Sequence, residues 1–290
     1  MIQPKRKRMK VKQRARIWSH QIKEAALTAA GQGIGLALQD LPKRMVTDQD
    51  IRSWLQAADT RDAYETLRAR LKELPDEKPR QSTSPGDCFA LFALAKAVGG
   101  TKALEIGTHL GFSTLHLASA LARNGTAPKL TTVDMIDVND EVAAQYKSYG
   151  VSMSARQRLR ALELEDRVEF AVSSSEAFLK RTDETYDIIF VDGDHSESGA
   201  YFDIMRSLLR LNESGIVVLH DYNDPDDLTP GVRTGLYGVY WAIHRLRSHI
   251  PDIAVVPLRS IIMPDGETQM PTSLAVVTRR PGVLGPGGGE

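Results

Sequence analysis

The sequence predicts an α/β fold: a doubly wound, mostly parallel sheet of seven strands with a helical extension at its N-terminus. Two observations carry the sheet. Between residues 102 and 221, five short apolar runs alternate with helical segments, the sequence form of a parallel sheet covered on both faces. Two more apolar runs near the C-terminus have no long helix between them, as an antiparallel pair requires. A third observation, helical patterning over residues 17–80, supplies the extension.

Residues 1–16, "MIQPKRKRMKVKQRAR", carry eight Lys and Arg and no acid. The chain has 37 basic and 37 acidic residues, so the rest holds 29 against 37, a net of −8. A basic arm on an acidic body can meet nucleic acid, anionic lipid or the body itself, but a short charge run is first a solvated tail. "TRDAYETLRARLKEL" places Thr60 as an N-cap ahead of Leu67, Leu71 and Leu74 at helical spacing, and Pro75 and Pro79 stop that helix. "DEKPRQSTSPGD" reads as a linker, and "CFALFALAKAVGG" as an apolar helix ended by Gly99 and Gly100. The expected strands are "KALEIG" (102–107), "KLTTVDM" (129–135), "RVEFAV" (167–172), "YDIIFVD" (186–192) and "GIVVLHD" (215–221), followed by "IAVVPL" (253–258) and "SLAVVTR" (273–279). A helix is expected near 233–248, and "RSIIMPDGETQMPT" reads as a hairpin-like excursion. The expected divisions are a basic tail at 1–16, a helical extension at 17–84, the sheet domain at 85–280 and a flexible Gly/Pro tail at 281–290.

Cys88 is the only cysteine, which excludes an intrachain disulfide and a cysteine-based zinc site. No apolar run approaches the ~18 residues needed to cross a membrane, and no signal peptide is apparent. The chain is expected to be soluble and cytoplasmic.

Two glycine stretches compete as a cofactor turn. "AAGQGIGLAL" (29–38) has the spacing of a nucleotide fingerprint but follows an Ala-rich helical segment, whereas the fingerprint must follow a strand. "ALEIGTHLGFSTLHLA" lies where the first strand meets a helix. Gly107 allows a sharp turn there, and Gly111 stands at a helix entry with free N–H groups. Glu105 would repel a pyrophosphate and attract a cationic amino-acid end. Asp134 ends the second strand, where a carboxylate can accept both hydroxyls of a ribose. Ser174 and Ser175 follow the third strand and can line an adenine edge. In order, these features describe an adenosine carrying an amino-acid end.

"LEIGTHLGFSTLHLA", Asp134, "FVDGDHSESG" and "GIVVLHDY" resemble the successive motifs of class I S-adenosylmethionine-dependent methyltransferases, within the bacterial O-methyltransferase-like subgroup with such Asp-Gly-Asp-His-Ser and His-Asp-Tyr strand ends. The resemblance covers residues ~85–280. It implies a Rossmann-like methyltransferase fold, with Glu105, Gly107 and Gly111 on the methionine part of the cofactor, Asp134 on the ribose, and Ser174 and Ser175 on the adenine side. It also implies methylation of hydroxyls of sugars or other small molecules, in some relatives with a divalent metal.

Open parallel sheets bind ligands at the carboxyl ends of their strands, which brings Asp192, Asp194, His195, His220 and Asp221 to one region. Three readings stand there. Asp192 and Asp221, with His220, hold Mg²⁺ or another divalent cation; in the metal-dependent catechol and caffeoyl-coenzyme A relatives an Asp-Asn pair stands at the His220-Asp221 position. Alternatively His195 or His220 is a general base whose tautomer an aspartate fixes. Asp194, by contrast, reads as a helix cap, with Ser196 or Ser198 sharing the task. His109, His116, His244 and His249 read as turn or helix-face residues, and "DYNDPDD" (221–227) as a loop over the substrate mouth. The rival functions are a nucleic-acid methyltransferase using the basic arm, a nicotinamide-dependent oxidoreductase, and a non-catalytic domain that binds the cofactor and a partner. A homo-oligomer is compatible with all of these.

Overall fold

The computed structural model of the protein describes residues 38, 41–75, 82–125, 127–226 and 236–280. The basic arm, all but Leu38 of the first glycine stretch, the first half of the linker and the C-terminal tail lie outside the described residues.

Two helices, α1 (Asp48–Gln56) and α2 (Ala58–Leu71), precede α3 (Pro85–Val98). Thr47 and Asp50 form a reciprocal capping box at the start of α1. The second helix starts at Ala58, not at Thr60 as the sequence suggested. Ala57 turns directly from one helix into the next, so Thr60 lies in the first turn and is buried. At α3, Ser84 and Asp87 make a second capping box, Pro85 takes the first helical position, and Gly99 closes the helix in the left-handed conformation.

Seven strands form the main sheet: β1 (Lys102–Ile106), β2 (Lys129–Asp134), β3 (Val168–Val172), β4 (Tyr186–Val191), β5 (Leu211–Leu219), β6 (Ile253–Pro257) and β9 (Ala275–Arg279). Their order is β3-β2-β1-β4-β5-β9-β6. Strands β1 to β5 pair in parallel, and β9 runs antiparallel to both β5 and β6. The excursion before β9 is a small ribbon of β7 (Ser260–Ile262) and β8 (Gln269–Pro271). Between the strands lie α4 (Phe112–Leu121), α5 (Ala155–Ala161), α6 (Ser175–Arg181), α7 (Glu197–Leu208) and α8 (Gly238–Leu246). The helix expected near 233–248 is thus shorter within the described residues.

Side chains alternate across each strand and divide the core into two layers. Ala103, Leu130, Ile188, Phe190, Ile216, Val218 and Val276 face α3 and α4. Leu104, Ile106, Val133, Ile189, Val191, Val217 and Leu219 face α7 and α8. Helix α3 is buried from Gly86 to Ala95 because α1 and α2 cover its outer side with Ile51, Leu55, Tyr64 and Leu67. The N-terminal helices therefore share the core of the sheet.

The connections run outward from β1 to β3 and then return to β4 beside β1. Strand order reverses between β1 and β4, which opens a crevice at their carboxyl ends.

Candidate active site

That crevice is a cleft of about 1100 Å³ lined by Gly107, Gly111, Asp134, Ser174, Ser175, Asp192, Asp194, His195, His220 and Asp221. Of the residues singled out from the sequence as binding or catalytic, Glu105 alone is not on its wall.

Backbone hydrogen bonds set the strand ends. Gly107 N–H donates to the Val133 carbonyl at 2.9 Å, Asp192 N–H to Ile106 at 2.8 Å, and His220 N–H to Val191 at 3.0 Å. Gly107 has φ +96°, and a Cβ there would stand 2.0 Å from the Asp192 carbonyl oxygen. Glycine is needed so that β1 can turn away while lying against the end of β4. A carboxylate oxygen of Asp134, Oδ2, accepts the N–H groups of Thr108 (3.2 Å) and His109 (2.9 Å), so this side chain holds the glycine turn from the neighbouring strand. Ser174 caps α6, accepting from Ala177 N–H at 3.2 Å.

The expectation that Glu105 meets a ligand directly is corrected. Its side chain is 0% exposed and accepts hydrogen bonds from Thr114 (2.5 Å) and Thr132 (2.6 Å) beneath the turn. A strand residue pointing into the sheet's covered face has no route to the cleft. Burial pushes its carboxyl up to about 7, against the opposing hydroxyls of Ser113, Thr114 and Thr132.

At the other end of the cleft, the side chains of β4 and β5 converge. One ligand atom each from Asp192, His195 and Asp221 lies within 4.8 Å of the other two. His195 Nδ1 is 3.6 Å from Asp221 Oδ2. Asp221 has φ +51°, a left-handed conformation that aspartate tolerates better than most residues. The carbonyl of His195 packs against α8, where a Cβ on Gly238 would fall 2.0 Å from it.

His220 lies beside both carboxylates, with Nδ1 3.5 Å from Asp221 Oδ2, but His195 rather than His220 completes the set whose ligand atoms converge. The His220 Nδ1 also lies 3.0 Å from Asp192 Oδ1, and its Nε2 lies 3.2 Å from Ser273 Oγ and 3.5 Å from Asp87 Oδ2. Burial opposes the charged ring, yet Asp192, Asp221 and Asp87 outweigh it and raise the imidazole well above its usual range. Asp194 is also corrected: Ser196, expected to share the task, is itself the N-cap of α7, accepting from Gly199 N–H, and Asp194, two residues earlier, accepts from Ser196 N–H at 2.9 Å.

Several cleft and second-layer residues were not singled out by sequence. Asp87 was read as part of a linker, although its place three residues after Ser84 is a capping-box signal. Ser273 carried no signal. His109, read as a turn residue, has φ +46° and lies on the cleft wall with its ring against Tyr149. Asp203 also lines the cleft; its one signal is a lone acid between apolar residues in "AYFDIM".

Residues 104–222 match the family model described as a methyltransferase domain. A Mycobacterium leprae protein whose O-methyltransferase name is itself provisional is 27% identical over 156 residues, which cover 54% of this chain and 63% of the relative. A similarly named Mycobacterium ulcerans protein is 30% identical over 140 residues, covering 48% of this chain and 55% of the relative. The chain thus spans less than two thirds of the length of these relatives. The fold resembles that of the Bacillus cereus O-methyltransferase solved in complex with SAH, with a TM-score of 0.50, 17% identity, and coverage of 86% of this chain and 97% of that one.

Proposed function

We propose that this chain, whose residues 104–222 match a methyltransferase-domain model, transfers a methyl group from S-adenosylmethionine to a hydroxyl oxygen of a small molecule or sugar. The observation that carries the reading is one continuous cleft with two unlike ends. A glycine turn pinned by Asp134 lies at one end, and Asp192, His195 and Asp221 converge at the other. The O-methyltransferase names of the relatives and the SAH in the Bacillus cereus structure support the cofactor and the accepting atom. The unit proposed to do this is residues 85–280, with the preceding helices as an extension packed on α3.

Bound in the cleft, S-adenosylmethionine supplies a methyl group on a cationic sulfur that departs as a neutral thioether. Asp134 Oδ1, which accepts from Ile136 N–H at 3.3 Å, keeps a lone pair for a ribose hydroxyl. Gly107 and Gly111 shape the turn on which the amino-acid end rests, their own N–H groups being bonded to the Val133 and Thr108 carbonyls. Glu105 acts from below, by holding Thr114 and Thr132 under the turn. His195 takes the proton of the acceptor hydroxyl, and Asp221 steadies the imidazolium that results. His220, held between Asp192 and Ser273, fixes Asp192 toward the acceptor.

A second reading rests on the same convergence. Two carboxylates and an imidazole suit a divalent transition ion better than Mg²⁺, which prefers oxygen. Asp192, Asp221 and His195 would hold such an ion, which would lower the pKa of the acceptor hydroxyl.

Labelled methyl transfer to a panel of hydroxylated small molecules and glycosides, with and without EDTA, tests both readings. Transfer that survives excess EDTA leaves His195 as the base; transfer abolished by EDTA and restored by Mn²⁺ selects the ion. No transfer to any hydroxyl, with transfer to RNA instead, would replace the proposal by a nucleic-acid methyltransferase.

A further inference from the structure

The start of α3 carries a buried acid that the proposed reaction does not use. Asp87 is 3% exposed, although the capping box it forms with Ser84 needs no burial. The Thr47–Asp50 box does the same for α1 at the surface. Taking a carboxylate out of water is costly unless its oxygens are bonded, and those of Asp87 are held in two directions. Oδ2 accepts from the Ser84 hydroxyl at 2.6 Å and lies 3.5 Å from His220 Nε2. Oδ1 accepts from Ser273 N–H at 3.0 Å.

Ser273 is held from its other side as well, because its carbonyl accepts from Tyr222 N–H at 3.0 Å. With its backbone strapped to α3 and to the chain just beyond β5, its hydroxyl stands 3.2 Å from His220 Nε2. Phe190 of β4 stands perpendicular to the His220 ring, with centroids 6.1 Å apart. An imidazole is rigid, so whatever fixes Nε2 also fixes Nδ1, which lies 3.0 Å from Asp192 Oδ1. A half-turn about the Cβ–Cγ bond, a torsion with a broad two-fold preference, would put a carbon where each nitrogen stands. Asp192 would then meet a C–H in place of a ring nitrogen.

We propose that Asp87 is a positioning residue for methyl transfer: directly and through Ser273 it locks the ring of His220, which in turn sets Asp192 at the acceptor end of the cleft. This rests on the reading of the β4–β5 end as the place where the acceptor hydroxyl reacts. Asp87 itself is not on the cleft wall, whereas His220 and Asp192 are. Three elements remote in sequence, α3, β5 and the entry to β9, thus fix one carboxylate.

The test is labelled methyl transfer from S-adenosylmethionine to the same panel of hydroxylated small molecules and glycosides, with S-adenosylhomocysteine affinity measured by calorimetry. Asp87→Asn keeps an oxygen for the α3 cap, and Ser273→Ala removes only the hydroxyl. Each is expected to lower kcat about tenfold, with KM for S-adenosylmethionine and affinity for S-adenosylhomocysteine within about threefold of wild type. Ser273→Thr is expected to recover most of the lost rate. In a His220→Asn background, whose shorter side chain leaves Ser273 unmet, Asp87→Asn is expected to change kcat less than about twofold, because the group it acts through is gone. Should Asp87→Asn fail to fold by circular dichroism, Ser273→Ala and Ser273→Thr carry the same expectations. An unchanged kcat in the folded variants, cofactor affinity falling in step with rate, or a loss in the His220→Asn background as large as in the wild type overturns the positioning role and leaves the transfer reading standing. A wild type that binds S-adenosylhomocysteine yet methylates no member of the panel overturns both.

Discussion

The two ends of the cleft are built by different physics. At the β1–β2 end the backbone does most of the work: Gly107 turns at φ +96°, and Asp134 holds the N–H groups of the turn. At the β4–β5 end, side-chain charge does it: His220 lies among Asp87, Asp192 and Asp221, and His195 faces Asp221. A backbone cradle suits a ligand that every catalytic cycle shares. A cluster of charges is the place for a reacting proton, because each member's state depends on its neighbours.

The hinge between the two ends offers the largest effect. Gly107→Ala forces a Cβ into the Asp192 carbonyl at a positive φ, with an expected loss on the order of 3 kcal/mol. Denaturant unfolding should register it, and both cofactor binding and activity should fall together. A variant that keeps either one intact would break the link drawn between β1 and β4.

Charge substitutions should separate the ends. Asp192→Ala and His195→Gln are each expected to lower kcat by roughly 10²-fold or more while leaving affinity for S-adenosylhomocysteine within about threefold. Equal losses in binding and rate would erase the division of labour.

A smaller effect lies beneath the cradle. Glu105 is raised from 4.5 to about 7 in the folded chain, so the native state keeps a proton over a range where the unfolded chain has lost it. Stability from this group is therefore highest below about pH 4.5 and falls as pH rises toward 7, levelling above. Asp203 adds a slope of the same sign, from 3.8 to about 7. Glu105→Gln should flatten the fall in Tm between pH 5.5 and 7.5 without removing it. An unchanged profile would mean that Glu105 is ionised in the folded protein.

The smallest effect tests the cap of α7. Ser196→Ala should cost about 1 kcal/mol, and Asp194→Ala less, by thermal unfolding. The reverse order would restore Asp194 as the cap.

Much of this architecture was legible in the sequence, and the exceptions have a common cause. Strand positions followed from apolar runs because buried parallel strands must be apolar on both faces. The residues at strand ends followed because the crevice of such a sheet lies there. What stayed hidden depended on depth or on distant partners. Glu105 and Asp192 both look like acids at strand ends, and nothing local says that one points under the turn. His220 looked like a ligand because its partners Asp87 and Ser273 are remote in sequence, 133 and 53 residues away. Thr60 looked like a cap because its side chain suits one, while the bend at Ala57 had already started the helix.

The central claim is that the glycine turn and Asp134 form a nucleoside-cofactor site. Calorimetric titration of the wild type and Asp134→Ala with S-adenosylhomocysteine and with NAD tests it most directly. The account predicts one S-adenosylhomocysteine bound per wild-type chain, binding weakened at least about tenfold in the variant, and no NAD binding. Binding of NAD without S-adenosylhomocysteine, or equal S-adenosylhomocysteine affinity in the two proteins, would contradict it.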